Sequence, residues 1–108
     1  MRKILTYGGY FEAFMGTLTE DQRQKINYGL LLLKSLDRVP MKFVKHLDDG
    51  IYELRTEYEG NIFRTMFFFD KGDVVVLCNG FQKKTQKTPG SVLESAKKIR
   101  KAYYERTR

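Results

Sequence analysis

Three β-rich segments follow one another with almost nothing between them: "IYELRTEY" (Ile51 to Tyr58), "IFRTMFFF" (Ile62 to Phe69) and "DVVVLCNGF" (Asp73 to Phe81). Their content of aromatic and β-branched residues marks them as strands. The connections are too short for crossovers, so the strands must run antiparallel as a meander. Gly60-Asn61 suits a two-residue turn of type II′, and Lys71-Gly72 suits one of type I′. With those turns Glu57 faces Arg64, Arg55 faces Met66, and Arg64 faces Asn79. Side chains alternate along a strand, so Arg55, Glu57, Arg64, Asn79 and, by extension, Lys83 share one sheet face. The other face collects Tyr52, Leu54, Tyr58, Phe63, Phe67, Phe69, Val74, Val76 and Cys78 and is expected to be the core.

Helices flank this sheet. "MRKILTY" (Met1 to Tyr7) alternates and reads as a short strand ended by Gly8-Gly9, and Tyr10 to Leu18 reads as a short helix. Thr19 and Gln22 form a capping box for a longer helix with an apolar stripe of Ile26, Leu30 and Leu33, widened by Leu31 and ending before Pro40. This helix is expected to cover the core face. A last helix starts at Thr88-Pro89, with Thr88 as N-cap and proline at the first helical position. Its stripe is Val92, Leu93, Ala96, Ile99 and Tyr103, and its other side carries Lys97, Lys98, Arg100 and Lys101. The fold class is therefore α+β, one domain over residues 1–108, with N-terminal helices on one face of a small antiparallel sheet and a basic C-terminal helix.

Charge is segregated along the chain. Residues 1–80 hold eleven basic and eleven acidic side chains; residues 81–108 hold nine basic and two acidic. The entire net charge of +7 thus follows the last strand. Such a run is commonly a solvated helix face, but its complete segregation points to a polyanionic partner, nucleic acid before membrane. No apolar run reaches the ~20 residues that span a bilayer. No secretory leader is recognisable, and the single cysteine, Cys78, excludes an internal disulfide; a cytoplasmic location is expected. No cysteine motif or carboxylate cluster calls for a metal or cofactor.

The polar face has a plain reading, a half-solvated sheet with a Glu57–Arg64 cross-strand pair. It also has a chemical one. Arg55 and Arg64 supply planar forks suited to phosphate, and Lys83 supplies a mobile ammonium whose pKa neighbouring cations would lower.

Three stretches together, "VKHLDDGIYELR" (Val44 to Arg55), "FRTMFFF" (Phe63 to Phe69) and "LCNGFQKKTQKTP" (Leu77 to Pro89), resemble the RelE/ParE superfamily of toxins, best its phage-derived, HigB-like subgroup. The resemblance runs from about Tyr10 to Tyr104. It implies a RelE-like fold, a ribosome-dependent mRNA endonuclease, and a cognate helix-turn-helix antitoxin. It implies site residues at Arg55, Arg64, Lys83 and Lys84. Asn79 stands where members often carry histidine; it hydrogen-bonds but does not shuttle protons near neutral pH. The only histidine, His46, precedes the meander and reads as a surface residue.

The expected site is thus Arg55, Arg64, Asn79 and Lys83. Glu57 is the alternative base, and Tyr103 or Tyr104 or an arginine the leaving-group acid. Lys84, Lys87, Lys97, Lys98, Arg100 and Lys101 would grip the backbone of message or ribosomal RNA. Two other readings stay open: a ParE-like toxin that binds DNA gyrase without chemistry, and an inactive relative acting in a repressor complex with its antitoxin. Message-end mapping, gyrase-linked DNA breaks and growth arrest without the partner separate the three.

Overall fold

The computed structural model describes residues 1–84 and 88–107. The elements are β1 (Lys3–Thr6), α1 (Tyr10–Met15), α2 (Glu20–Ser35), β2 (Val44–Asp48), β3 (Ile51–Tyr58), β4 (Asn61–Phe69), β5 (Val74–Lys83) and α3 (Gly90–Thr107). They build one five-stranded mixed sheet in the order β1-β5-β4-β3-β2. The meander is present, but it is extended on both sides. The first strand pairs in parallel with β5, Lys3 beside Val74 through Thr6 beside Leu77. On the far edge β2, a strand additional to the expected ones, pairs antiparallel with β3. Its polar "VKHLD" is an edge strand with three exposed residues, so it lacks the apolar alternation of a half-buried strand.

Both meander turns differ from the expected ones. Tyr58 pairs with Asn61, so the first loop is Glu59-Gly60, with φ of 49° and 79°. Positive φ at both positions is the type I′ pattern, not type II′. The register moves by two, which preserves faces but changes partners: Arg55 lies opposite Arg64 and Glu57 opposite Ile62. The second loop is Lys71–Asp73, three residues rather than two, closed by the Asp70 N–H donating to the Val74 carbonyl at 2.8 Å. That odd step moves Val76 to the face of Phe68, and Val75 and Leu77 to the face of Phe69 and Phe67. Farther along, Thr65 pairs with Gly80 and Phe67 with Leu77, so Cys78 and Asn79 together oppose Met66 in a β-bulge. The bulge restores the parity, and Arg64 ends opposite Phe81 rather than Asn79.

The sheet is consequently buried on both faces. Against α1 and α2 pack Leu54, Phe63, Phe67, Val75 and Leu77, with Ile26, Leu30 and Leu33 of the expected stripe beneath them. Leu31 does not join the stripe; it lies 56% exposed. The capping box is formed as read: the Thr19 hydroxyl accepts from the Gln22 N–H, and the Gln22 side chain accepts from the Thr19 N–H. Gly80 fits this side for a packing reason. A Cβ there would stand 2.3 Å from Phe14 Cδ2, so only glycine lets the α1 ring lie on the β5 backbone.

The second core, on the face expected to be half-solvated, joins Ile51, Met66, Phe68, Val76 and Cys78 to Ala96, Ile99 and Tyr103 of α3. Val76 and Cys78 therefore belong under α3, not under α2. Burial pushes the Cys78 thiol up to about 12, which leaves it inert. The start of α3 also differs from the expected cap. The Pro89 carbonyl accepts from Val92 and Leu93, so proline precedes Gly90, and the Thr88 hydroxyl bonds to Glu53. Among the described residues no helix is long and apolar enough to cross a membrane.

Candidate active site

The α3 helix covers only the half of its face that lies toward Phe68. The half beyond its first turn holds Arg55 on β3, Arg64 on β4, and Phe81 and Lys83 on β5. Arg55 is opposite Arg64, Arg64 opposite Phe81, and Lys83 opposite Ile62. Opposed Cβ atoms sit ~5 Å apart, and like charges in that position repel. Each guanidinium has its own carboxylate. Arg55 Nη2 meets Glu57 Oε2 at 2.9 Å on the exposed rim. Arg64 Nη1 meets Glu53 Oε1 at 2.5 Å with both side chains buried.

Glu53 is the central residue that sequence reading missed. It is 2% exposed, and its second oxygen accepts from the Thr88 hydroxyl at 2.7 Å. One carboxylate thus ties β3 to β4 and to the segment leading into α3. Its signal was present: Glu53, Arg55 and Glu57 alternate on one strand face. The ε-nitrogen of Arg64 is buried without a hydrogen-bond partner. Arg64 therefore forms the floor of the site, and the partly exposed Arg55 and Lys83 form its accessible cations.

The Lys83 pKa is lowered from the ordinary lysine value. Desolvation is the first cause, followed by the charge of Arg64, with Glu53 opposing and Arg55 and Lys45 adding to the depression. Lys45, opposite Glu53 on β2, extends the cationic face to the sheet edge. Asn79 shares this face but points to the helix. Its Nδ2 donates to the Val92 carbonyl at 3.3 Å, and its Oδ1 is buried without a partner.

The basic helix is partly engaged within the fold. Lys97 binds Asp48 at 2.9 Å and Glu94 at 3.6 Å, and Arg100 Nη2 binds Asp49 Oδ2 at 2.7 Å. Lys97 depresses the Asp48 pKa, and Asp48 raises that of Lys97. These two cations fasten α3 to the β2–β3 turn. Lys84, Lys98 and Lys101 are exposed, and Lys87 lies outside the described residues.

Two further candidates are placed away from the site. Tyr103 donates to Asp70 Oδ2 at 2.6 Å and packs on Phe68, while Tyr104 packs on both rings. Four strand positions separate Phe68 from Arg64, about 13 Å at the usual rise, so Tyr103 anchors the far end of α3. His46 pairs with Tyr52, on the α2 face, and its Nε2 accepts from the Gly50 N–H at 3.3 Å. It is on the wrong side of the sheet to meet Arg64. Among the described residues no group of histidine, cysteine and carboxylate side chains is arranged to hold a metal.

Two guanidiniums, each paired to a carboxylate, and a lysine of depressed pKa give this face a local excess of positive charge, which is chemically suited to an anionic ligand. No curated protein matches the chain. The family profile described as phage derived protein Gp49-like (DUF891) matches residues 13–101 of the 108. That family is toxin-like, of the RelE/HigB type found in toxin–antitoxin systems. With most of its length matched, the chain belongs to the phage-derived Gp49-like family.

Proposed function

We propose that this protein is the toxin of a type II toxin–antitoxin system, of the HigB-like subgroup, and cuts mRNA on the ribosome. The observation that carries the reading is Arg55 set directly opposite Arg64 with Lys83 on the same open sheet face. Each guanidinium already holds a carboxylate, so the anion is drawn by the excess of cations that Lys83 and Lys45 add to these two pairs.

RNA supplies its own nucleophile. The 2′-oxygen bonds to phosphorus, the bond from phosphorus to the 5′-oxygen breaks, the departing 5′-oxygen takes a proton from solvent water, and a 2′,3′-cyclic phosphate and a 5′-hydroxyl result. Arg55 and Arg64 neutralise the charge that builds on the phosphoryl oxygens. Lys83, whose pKa is depressed, takes the proton of the 2′-hydroxyl, with Glu57 as the alternative base. Asn79 holds the start of α3 beside the site through Val92. Lys84, Lys98 and Lys101 bind RNA backbone, and Lys87 extends that set.

A cell-free translation reaction with message-end mapping tests this. Cuts only with ribosomes present, lost when the scissile nucleotide is 2′-deoxy, support it; intact message during translational arrest sinks it. A helix-turn-helix antitoxin is the expected partner, covering the cationic face and blocking RNA. The second reading, a ParE-like toxin binding gyrase without chemistry, is favoured by one observation: the residue where members often carry histidine is Asn79, committed to Val92. Gyrase-linked DNA breaks on induction would select it.

A further inference from the structure

The strand β1 ends at Thr6, so its pairing with β5 stops at Leu77. The chain then turns through Gly8-Gly9 and lays α1 along the rest of that side of β5, with the Phe14 ring on the Gly80 backbone. The cover is incomplete on either side of Tyr10. A cavity of about 680 Å³ lies between α1 and β5, bordered by Tyr10, Phe14, Asn79, Phe81 and Gln82. Another, of about 300 Å³, lies toward α3, bordered by Tyr10, Asn79, Ser95, Lys98 and Ile99. Tyr10 and Asn79 are common to both.

Tyr10 is held in place without being buried. It is 48% exposed, yet a Cβ added to Gly8 would stand 2.5 Å from Tyr10 Cε2, so the ring rests on the Gly8 backbone. Lys98 brings charge to the same place. On α3 the cations Lys97 and Arg100 are engaged by Asp48 and Asp49, whereas Lys98 is exposed and makes no ion pair among the described residues. The one carboxylate of α1, Glu12, accepts from the Thr6 hydroxyl at 2.8 Å. The pair of cavities also adjoins the cationic face. Phe81, which borders the larger one, lies opposite Arg64 and only two residues from Asn79, about 7 Å along the strand.

We infer that Tyr10 and Lys98 form a nucleotide subsite, in which an unpaired RNA base stacks on the Tyr10 ring above Asn79 and its phosphate meets Lys98. An exposed, positioned aromatic ring offers a π-face to any base, and a neighbouring free ammonium suits the backbone that carries it. A base inside a duplex has no free face to offer, so the subsite selects single strands. The inference rests on the RNA-cleaving reading for its ligand class and adds to it a place for a nucleotide that flanks the scissile phosphate.

The chain contains no tryptophan, so Tyr10→Trp places a single fluorescent reporter in the subsite. The probe is a 2′-O-methyl RNA hexamer, which lacks the 2′-hydroxyl nucleophile and stays intact. Saturable quenching of the tryptophan is expected with the hexamer. Little is expected with an abasic hexamer of equal charge, with the same sequence as a duplex, or with a glutamate hexapeptide. Polarisation of the labelled hexamer should show Tyr10→Ala weakening binding by about tenfold, with Tyr10→Phe close to the parent chain. Lys98→Ala should weaken binding and lessen its salt dependence. Circular dichroism checks that each variant is folded. No quenching at millimolar hexamer, equal quenching by the abasic hexamer or the peptide, or unchanged affinity in Tyr10→Ala overturns the inference. Message-end mapping separates it from the wider reading. Intact message with the parent protein would sink cleavage and leave a quenched reporter standing, whereas normal cutting with an unquenched reporter would sink the subsite alone.

Discussion

Glu53 holds Arg64 at 2.5 Å in a nearly dry pocket, and the same carboxylate takes the Thr88 hydroxyl at 2.7 Å. The pair couples stability to function, because removing either partner leaves a buried charge alone. Breaking such a pair costs about 3–5 kcal/mol, whereas replacing both members with apolar groups is far milder. Glu53→Ala is therefore expected to cost about 3 kcal/mol in urea unfolding. The double variant Glu53→Leu/Arg64→Met should recover most of that loss while abolishing cleavage. Additive losses in the double variant would show that the pair is not coupled.

Lys83 should impose a pH dependence. Its folded pKa lies below the ordinary lysine value, chiefly through desolvation and then through Arg64. A base must be neutral to accept a proton, so cleavage should rise with pH through this lowered pKa, before free lysine would titrate. The linkage has the matching sign: the unfolded chain binds more protons between the two pKa values. The Lys83 contribution to stability is therefore full above the unfolded lysine pKa and falls away as pH drops through the folded one. Nitrogen-detected NMR of Lys83 reads the pKa, and Arg55→Gln should move it upward. An unmoved pKa, or the same rising limb in Lys83→Met, removes Lys83 as the base.

Gly80 makes a steric prediction. The Cβ of Gly80→Ala would stand 2.3 Å from Phe14 Cδ2, and overpacking of this kind typically costs about 1–3 kcal/mol. Phe14→Leu opens space at the ring and should rescue part of that loss in the double variant, although it destabilises the wild-type background. Thermal unfolding of the four proteins checks this, and no coupling between the two changes would count against the contact.

Much of the fold was legible because local chemistry announced it. The Thr19 capping box, the Ile26–Leu30–Leu33 stripe and the β-rich meander all depend on short-range patterns. Arg55 and Arg64 share a face as expected, since the first turn's register error was an even one. The second hairpin differs because composition does not distinguish two loop residues from three in "DKGD", and one residue sends Val76 to the other face. The bulge at Cys78 and Asn79 has no local sequence signature. Asp49-Gly50 is a local hairpin signal: both residues have positive φ, 52° and 76°, as an Asp-Gly turn requires, and it announces β2. Glu53 escaped because its importance lies in burial between three segments, which depends on where α3 starts. The charge of α3 reads plainly from sequence, but its division between Asp48, Asp49 and solvent is a tertiary fact.

Tyr103 and Asp70 join the end of α3 to the β4–β5 turn, and they predict an alkaline transition. The bond to Asp70, then burial, pushes the Tyr103 pKa up to about 12 from 10.0. A pKa raised on folding contributes stability that is complete below the unfolded value and disappears as pH climbs through the folded one. The wild-type protein should therefore lose stability between about pH 10 and 12, as Tyr103 is deprotonated beside a carboxylate. Tyr103→Phe should start less stable at pH 8 and show a shallower decline across that window. Ultraviolet absorbance of the tyrosinates, recorded with denaturant midpoints at each pH, follows both quantities. An equally steep decline in Tyr103→Phe would mean that other groups set the alkaline limit and that this bond does not hold the helix end to the turn.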